Sequence, residues 1–330
     1  MPRPTFGTAT IEDVARRAGV SRATAARVLA GSGAASSQAR EKVTSAASAL
    51  QYSANRAARA LATAGGTRVV IAVVTPGPTL VVDNYLGRVV SAAAQTCATA
   101  GVGVAMLPLP LHDNASLAAL AADRTVQGVV LVNTTESALH AIPPRLVGRV
   151  ASIGVGSATV PSVDVDNGGG AESILRYLYE SGRRRIAMIA GPSWLPCTAR
   201  TRRAYNRVMR EAGLPARTIA GDFSTEGGRA GAQALIRRWP NTDAIFASCD
   251  ANALGVLAAL RTLGVSVPAD VAVAGFDDLG LAELGYPPLT TASHPAELIS
   301  HTAALTVLTA SHVRPPDRRF ASELIRRASA

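Results

Sequence analysis

Two short helices joined by a tight turn are indicated by the stretch from Thr10 to Leu29, TIEDVARRAGVSRATAARVL. In its first half, apolar residues recur at i, i+3, i+4 and i+7, which is one face of a helix, and Gly19 then breaks the pattern. Thr10 with Asp13 three residues later has the pattern of a capping box, and Ser21 can cap a second helix. The stretch therefore predicts a small all-α helix-turn-helix unit.

The second helix of this pair has two different faces. At about 100° per residue, one face collects side chains that can be buried, which are Thr24, Ala25, Val28 and Leu29. The opposite face carries two arginines among small side chains, which are Arg22, Ala23, Ala26 and Arg27. Small side chains let a helix approach the bases in the major groove, and arginine can bond guanine bidentately. The face predicts a DNA-reading helix, while the spacing alone leaves open that both arginines are solvated surface.

Positive charge is concentrated in the same part of the chain. The whole sequence has a net charge of +10, and residues 1–62 carry nine basic and three acidic side chains, a net charge of +6 on less than a fifth of the chain. A basic module on a near-neutral body is typical of nucleic-acid binders. On charge alone a solvated charged face is the alternative, and the excess of arginine over lysine is also typical of a GC-rich genome.

A third helix is predicted to begin at Ser36 and Ser37, with apolar positions Val43, Ala46, Ala47 and Leu50. The segment YSANRAARAL follows. With these residues, this part of the chain resembles the LacI/GalR family of bacterial transcription regulators, whose pattern is roughly TIxDVAxxAGVSxxTVSRVL, a third helix, and YxPNxxARxL. The matching positions are Thr10, Ile11, Asp13, Val14, Ala15, Ala18, Gly19, Val20, Ser21, Thr24, Arg27, Val28, Leu29, Tyr52, Asn55, Ala58, Arg59 and Leu61.

Three residues depart from the family pattern. Ala25 and Ala26 stand where Val-Ser is usual, and Ala54 stands where proline is usual. Loss of the serine hydroxyl removes one possible DNA contact, and loss of the proline makes the start of the last helix less rigid. The resemblance implies that double-stranded DNA is contacted by Thr10, Ser21, Arg22, Ala23, Thr24, Arg27, Ser36, Asn55, Arg56 and Leu61.

The resemblance also implies a helix-turn-helix domain at 1–62 that includes a hinge helix at 53–61, with Leu61 wedged between base pairs in the minor groove. A helix of that length is marginal alone in water, so we expect it to fold only on the operator, with two copies packing through Ala57 and Ala60. Twofold protein symmetry imposes twofold site symmetry, so the expected partner is a pseudo-palindromic operator bound by a homodimer. The alternative, that Leu61 packs on the body and the segment is only a tether, stays open.

Beyond a small-residue linker at 63–67, the pattern changes to alternating strands and helices. The continuous apolar run from Val69 to Val74 is typical of a strand that is buried on both faces. Strands are predicted at 69–74, 102–107, 126–132, 150–155, 185–190, 244–248 and 270–275, and helices at 85–100, 116–124, 170–181, 201–212 and 253–263. The alternation implies parallel sheets with helices on both faces, in two similar lobes.

Five phrases in the second half resemble the effector-binding part of the same family: VDVDN, SGRRRIAMIAGP, AIFASCDANALGVLAALRTLG, VPADVAVAGFDD and PPLTTASHP. That part of the family has the α/β fold of periplasmic sugar-binding proteins. The resemblance therefore implies an effector-binding and dimerisation domain at 68–330. Its first lobe is expected at about 68–160 and 295–330, and its second at about 161–294.

Ligands of open α/β sheets lie beyond the carboxyl ends of the strands, and Asp250 and Asp277 each follow a predicted strand. The resemblance carries ligand contact onto both, and less directly onto an arginine, for which we choose Arg202 with Arg200 as the alternative. Carboxylates and aromatic rings together suit a sugar-like molecule. The candidate effector-binding residues are Asn84, Tyr85, Trp194, Arg202, Asp250 and Asp277. It stays open that Asp250 only caps a helix and that Asp277 belongs to a loop.

The sequence gives little support to catalysis. It lacks GxSxG, HExxH and P-loop motifs, and its five histidines and three cysteines show no triad or metal-ligand spacing, so we expect no enzyme, cofactor or metal site. No apolar run approaches the roughly 20 residues of a membrane span, and the widely spaced cysteines suit reduced thiols. We therefore expect a cytoplasmic protein without a membrane partner. The rivals are a stand-alone small-molecule-binding protein with a non-functional DNA module and, third, an α/β enzyme.

Overall fold

The computed structural model describes residues 9–29, 35–52, 66–80, 83–111, 113, 115–278, 280–309 and 313–330. The chain divides into two units between Gly65 and Gly66, which lie within the predicted linker. The hinge-helix prediction, with Asn55, Arg56 and Leu61, lies outside the described residues.

Three helices form the described part of the first unit: α1 (Ile11–Ala18), α2 (Arg22–Leu29) and α3 (Ser37–Ala49). The predicted capping box is present, because the Thr10 amide donates to Asp13 Oδ2 at 2.9 Å and the Asp13 amide donates to Thr10 Oγ1 at 3.3 Å. Each helix contributes a fully buried side chain to one small core, and these side chains are Val14, Ala25 and Val43. The helix-turn-helix prediction is confirmed.

The second unit alternates strands and helices as predicted. In chain order its elements are β1 (Arg68–Thr75), α4 (Asn84–Thr99), β2 (Gly103–Pro110), α5 (Ala115–Ala122), β3 (Val126–Thr134), α6 (Glu136–His140), a 3-10 turn (Pro144–Leu146), β4 (Val150–Gly154), β5 (Ser162–Val165), α7 (Asn167–Glu180), β6 (Ile186–Ile189), α8 (Pro196–Glu211), β7 (Thr218–Ile219), α9 (Thr225–Arg238), β8 (Ala244–Ala247), α10 (Asp250–Thr262), β9 (Ala272–Ala274), β10 (Thr291–Ala292), α11 (Ala296–Leu308), β11 (Arg318–Phe320) and β12 (Leu324–Ile325).

Two parallel sheets define two lobes, which confirms the predicted fold class. The first sheet has the strand order β11-β5-β4-β3-β1-β2, and the second has the order β7-β6-β8-β9. The short antiparallel pair of β10 and β12 lies at the crossing between the lobes. After its first residue, β1 is buried along its whole length, as expected of a central strand covered by helices on both faces.

The lobe boundaries differ from the sequence-based ones at two places. The strand β5 was expected in the second lobe at 161–294, but it pairs with β4 and belongs to the first sheet. The last residues were expected in the first lobe, but Ser329 binds the second lobe: its hydroxyl donates to the Val273 carbonyl at 2.6 Å and accepts from the Thr290 amide at 2.8 Å. Both shifts have one cause, since hydrogen bonds to residues that are distant in the sequence decide which lobe holds a segment.

Among the differences between the predicted and the observed helices, two affect the site. The helix α8 begins at Pro196, five residues before the predicted start, because proline suits the first turn of a helix, where its missing N–H is not needed. The helix α9 was not predicted. It contains Gly228, where a Cβ would collide with the backbone of Asn252 in α10, so glycine permits the close packing of these two helices. None of the helices in the described ranges is both long and apolar enough to span a bilayer.

Candidate functional site

A cavity of about 590 Å³ lies between the two lobes of the second unit. Its volume is within the range of roughly 300–1,000 Å³ that is usual for small-molecule pockets. Residues that follow strands of both sheets line it, as the carboxyl-end rule requires. The polar and charged lining residues include Asp83, Asn84, Tyr85, Asn133, Asp164, Asn167, Thr198, Arg200, Asp222, Ser248, Asp277 and His294.

Three of the predicted effector-binding residues line this cavity: Asn84, Tyr85 and Asp277. The Tyr85 ring, in the first turn of α4, lies 5.0 Å from the His294 ring between centroids. His294 Nδ1 lies 3.1 Å from Asp277 Oδ1. Asp277 has a φ of +106°, a backbone conformation that L-residues rarely adopt and that is found where structure holds a functional side chain in place. The sequence thus located one end of the cavity.

The arginine of the cavity is Arg200 and not Arg202. Arg200 lines the cavity and donates to Asp164 Oδ2 in an ion pair, whereas Arg202 is exposed on the outer side of α8. Two residues correspond to about 200° around a helix, so the two side chains leave α8 in nearly opposite directions. Arg200, the alternative in the sequence analysis, therefore lines the cavity, and Arg202, the residue that we chose, does not.

Asp250 and Trp194 do not line the cavity either. Asp250 is fully buried in the first turn of α10, where its Oδ1 accepts a hydrogen bond from the Thr291 hydroxyl at 2.6 Å. Trp194 is half-buried and packs against the apolar core of the first lobe. Asp250 therefore supports the crossing segment behind the cavity, and Trp194 joins the lobes.

Several lining residues were missed by the sequence interpretation. Asp83 was hidden as the N-cap of α4, Asp164 lies inside a strand, and Asp222 precedes the helix that was not predicted. The five histidines show no triad or metal-ligand spacing in the sequence, but His294 lies in the lining with its Nε2 buried and without a hydrogen-bond partner among the described residues. Its place in the family-like phrase PPLTTASHP is the signal that could have indicated it.

The environment of the cavity favours the protonated forms of one tyrosine and two cysteines in its lining. Burial raises the pKa of Tyr85 well above its usual value, and the charges of Asp164 and Asp277 raise it further. Burial, together with the charge of Asp164, raises the pKa of the Cys197 thiol to about 11. Burial also raises the pKa of Cys249 well above normal. These thiols are poor nucleophiles at neutral pH, so the arrangement suits binding through hydrogen bonds and ring contacts. No group of three metal-binding side chains occurs among the described residues.

The predicted DNA-reading face of α2 is exposed. Arg22, Ala23 and Arg27 are all solvent-accessible. Arg22 Nε donates to Glu12 Oε1 of α1 at 2.6 Å, and Arg27 Nε donates to the Ala23 carbonyl at 3.3 Å. Three other residues that were assigned to DNA contact also act as helix caps, since their side-chain oxygens accept backbone N–H bonds: Thr10, Ser21 and Ser36.

Two family models match the chain. The model described as "Bacterial regulatory proteins, lacI family" matches residues 10–55, which contain α1 to α3. The model described as "Periplasmic binding protein-like domain" matches residues 175–330, which contain most of the second lobe.

Known proteins also resemble the chain over nearly its whole length. The HTH-type transcriptional regulator CelR of Thermobifida fusca is 33% identical over 320 residues, which cover 89% of each chain. A structure described as a complex of the transcriptional regulator CelR with cellobiose is 29% identical, has a TM-score of 0.70, and is aligned over 98% of this chain and 100% of its own. The lac repressor dimer bound to operator and an anti-inducer has a TM-score of 0.82 over 98% of this chain and 99% of its own, and at 24% identity it shows the fold alone.

Proposed function

Because the chain belongs to the LacI family of bacterial transcriptional regulators, we propose that it is a repressor that binds a pseudo-palindromic operator as a homodimer and is controlled by a small polar effector. The observation that carries this proposal is the presence in one chain of a helix with an exposed arginine face and of an interlobe cavity with polar lining. The operator is double-stranded DNA, and the protein acts in the cytoplasm without a cofactor.

The DNA-binding role rests on α2. Its exposed Arg22 and Arg27 flank the small side chains of Ala23 and Ala26, which is the composition that allows a helix to approach base edges. The face can contact bases because Ala25 on the opposite side is fully buried against α1 and α3. The contacts predicted for Asn55, Arg56 and Leu61 stay predictions.

The effector role rests on the cavity. Tyr85 offers a ring face, and Asp277 and Asn84 offer hydrogen-bonding groups, as recognition of a sugar requires. The cellobiose complex of the relative CelR supports a carbohydrate as the effector class. Effector binding between the lobes would alter the first-lobe positions and so the operator affinity of the dimer.

An exposed apolar surface supports the dimer. Leu284 and Tyr286 are 79% and 88% exposed, and Leu281 beside them is also exposed. Neighbouring apolar side chains at the surface mark interaction sites, and a second copy of the chain can cover this patch with the same patch of its own.

Selection of bound sequences from a random DNA library, using the full chain, tests the proposal. We expect a motif with twofold symmetry, and a melting temperature that rises with one of a panel of mono- and disaccharides, since a ligand of the native state stabilises it. A chain that binds a sugar but enriches no motif would instead be a stand-alone binding protein with a non-functional DNA module. Chemical turnover of the bound sugar would favour the α/β enzyme.

A further inference from the structure

Negative charge exceeds positive charge in the cavity lining. The cavity is lined by four carboxylates, those of Asp83, Asp164, Asp222 and Asp277, and by one guanidinium, that of Arg200. Arg200 is already paired with Asp164. Asp83 and Asp222 form no ion pair with any residue in the described ranges. Asp83 accepts a hydrogen bond from the Leu86 amide, and Asp222 accepts from the amide and the hydroxyl of Ser224. The cavity therefore holds surplus carboxylates.

Two of these carboxylates lie at the same end of the cavity but on different lobes. Asp83 caps α4 of the first lobe by accepting from the Leu86 amide at 2.8 Å. Two residues later, the Tyr85 ring packs against the His294 ring. His294 in turn contacts Asp277, which follows β9 of the second lobe. Burial raises the pKa of Asp83, and the charge of Asp277 raises it further, as expected of two neighbouring carboxylates.

Independent evidence for a ligand comes from polar atoms without partners. Thr198 Oγ1, Ser248 Oγ and His294 Nε2 belong to lining residues, are buried, and have no hydrogen-bond partner among the described residues. Thr198 and Ser248 are more than nine-tenths buried, and the His294 side chain is 10% exposed. Since buried polar atoms in folded proteins are normally satisfied, these atoms call for hydrogen-bonding groups from a bound molecule.

We propose that the effector is a polyhydroxylated molecule with a basic nitrogen, such as an amino sugar, and that its ammonium group lies between Asp83 and Asp277. This proposal rests on the proposed function, because it takes the cavity to be the effector site. An ammonium group offers three donors and no acceptor, which suits surplus carboxylates. It also removes their repulsion across the cleft, so that binding draws the two lobes together. A phosphorylated or carboxylated sugar would instead meet like charge.

The charge preference can be measured without knowing the effector, because the Cys197 thiol lines the cavity whereas Cys97 is buried in the first-lobe core. The full chain is treated separately with two methanethiosulfonate reagents. One carries a cationic trimethylammonium-ethyl group, and the other carries an anionic sulfonatoethyl group. In both reactions the thiolate attacks the reagent sulfur, a mixed disulfide forms, and methanesulfinate leaves. Peptide mapping gives the rate at Cys197. A thiolate by itself reacts faster with the cation, so the ratio of the cationic to the anionic rate at Cys197 is compared with the same ratio for a small free thiol. We expect the ratio at Cys197 to be about tenfold larger, since surplus carboxylates attract the cation.

Variants assign that preference to the two carboxylates. The ratio of the two rates is expected to fall several-fold in Asp83→Asn and in Asp277→Asn. It should not change in Asp270→Asn, a matched control, because Asp270 precedes β9 at the strand end opposite Asp277 and lies outside the lining. A ratio at Cys197 equal to or below that of a small free thiol would overturn the proposal, and so would a failure of both reagents to react together with a failure of the amine to stabilise the protein in the comparison of sugars described next.

A matched set of sugars tests the ligand class directly. Glucose, 6-amino-6-deoxyglucose and glucuronic acid differ only at carbon 6, and their effects on the melting temperature are compared. We expect stabilisation by the amine to exceed that by glucose and to be lost in Asp277→Asn, with none from the acid. A larger stabilisation by glucose or by the acid than by the amine contradicts the proposal. If no sugar changes the melting temperature, the ratio of the labelling rates at Cys197 tests the proposal. Operator binding is measured separately, so an amine that binds without altering it contradicts the proposed function alone.

Discussion

Arg200 and Asp164 form an ion pair that joins the two lobes inside the cavity. Asp164 lies in β5 of the first sheet, and Arg200 lies in α8 of the second lobe. Their side chains are only 19% and 12% exposed, and Asp164 Oδ1 also accepts from the Val165 amide at 2.8 Å. A pair in this position contributes to the cohesion of the lobes as well as to the shape of the site.

Arg200→Gln is therefore expected to lower both stability and effector affinity. The largely buried carboxylate of Asp164 would lose its charged partner, which costs about 1–3 kcal/mol of the free energy of unfolding. Urea unfolding measures this change, and Arg202→Gln is the matched control, because its exposed side chain should alter the free energy by no more than about 0.5 kcal/mol. Equal losses in the two variants would show that the ion pair contributes nothing specific.

Asp250→Ala is expected to destabilise the second unit. Asp250 accepts from the Thr291 hydroxyl at 2.6 Å while fully buried, so the substitution leaves a buried donor without this acceptor at a cost of about 1–3 kcal/mol. In a double-mutant cycle with Thr291→Val, we expect a coupling energy of about 0.5–3 kcal/mol. Additive losses would mean that the hydrogen bond is not the cause. A loss of effector response without a loss of stability would restore Asp250 as a ligand contact.

Elements with local signals were predictable from the sequence. The capping box of Thr10 and Asp13 involves residues three apart, and β1 is one unbroken apolar run, so neither depends on the rest of the fold. The helix α9 was missed because Gly227, Gly228 and Gly231 lower helix propensity, whereas in the fold small residues let α9 pack closely on α10.

The site was only partly predictable for a related reason. Asp277 follows a strand within a family-like phrase, so its place was visible in the sequence. Asp83 and Asp222 belong to no motif, and Asp164 lies inside β5 in the family-like phrase VDVDN rather than after the end of a strand. The three residues meet only because the two lobes bring distant parts of the chain together. The choice between Arg200 and Arg202 depended on which face of α8 meets the cavity, and this is decided by packing between distant parts of the chain.

Arg27→Ala is expected to relax operator specificity at one position of each half-site. A good bidentate contact to guanine contributes roughly 1–3 kcal/mol of discrimination, which is lost when the guanidinium is removed. Binding to a set of operators with single base changes measures it. Arg17→Ala on the exposed side of α1 is the control, since a phosphate contact there would weaken all sequences alike. Uniform weakening by Arg27→Ala would assign Arg27 to the phosphates.

Glu12→Gln should strengthen DNA binding through Arg22. Glu12 accepts from Arg22 Nε at 2.6 Å on the surface, so in the free protein the guanidinium has an anionic partner that it must leave to contact DNA. Removing the carboxylate also removes its electrostatic repulsion by the DNA phosphates. We expect tighter binding and a steeper dependence of affinity on salt concentration. The double variant with Arg22→Ala is the control, and a gain of the same size in that background would show that Arg22 plays no part.

Asp83→Asn is expected to stabilise the folded protein at neutral pH while it weakens binding of a cationic effector. Asparagine is about as good an N-cap as aspartate, so the bond from the Leu86 amide is kept. Burial raises the pKa of Asp83, and a carboxyl whose pKa is raised on folding destabilises the folded state at pH values above that raised pKa. The advantage of the variant should therefore shrink as the pH falls through the folded-state pKa and vanish below the unfolded value.

In the matched control for this prediction, the change in stability at neutral pH is expected to have the opposite sign. Asp113 accepts from the Ala115 and Ser116 amides at the start of α5, but the hydrogen bond from the Ser116 hydroxyl lowers its pKa. Its contribution to stability is present above the unfolded-state pKa and is lost as the pH falls through the lower folded-state pKa, so Asp113→Asn should be slightly less stable than the wild type at neutral pH. Urea midpoints at neutral pH and at about pH 4 compare the two variants. If both variants destabilise the protein at neutral pH, the cap rather than the charge of Asp83 dominates.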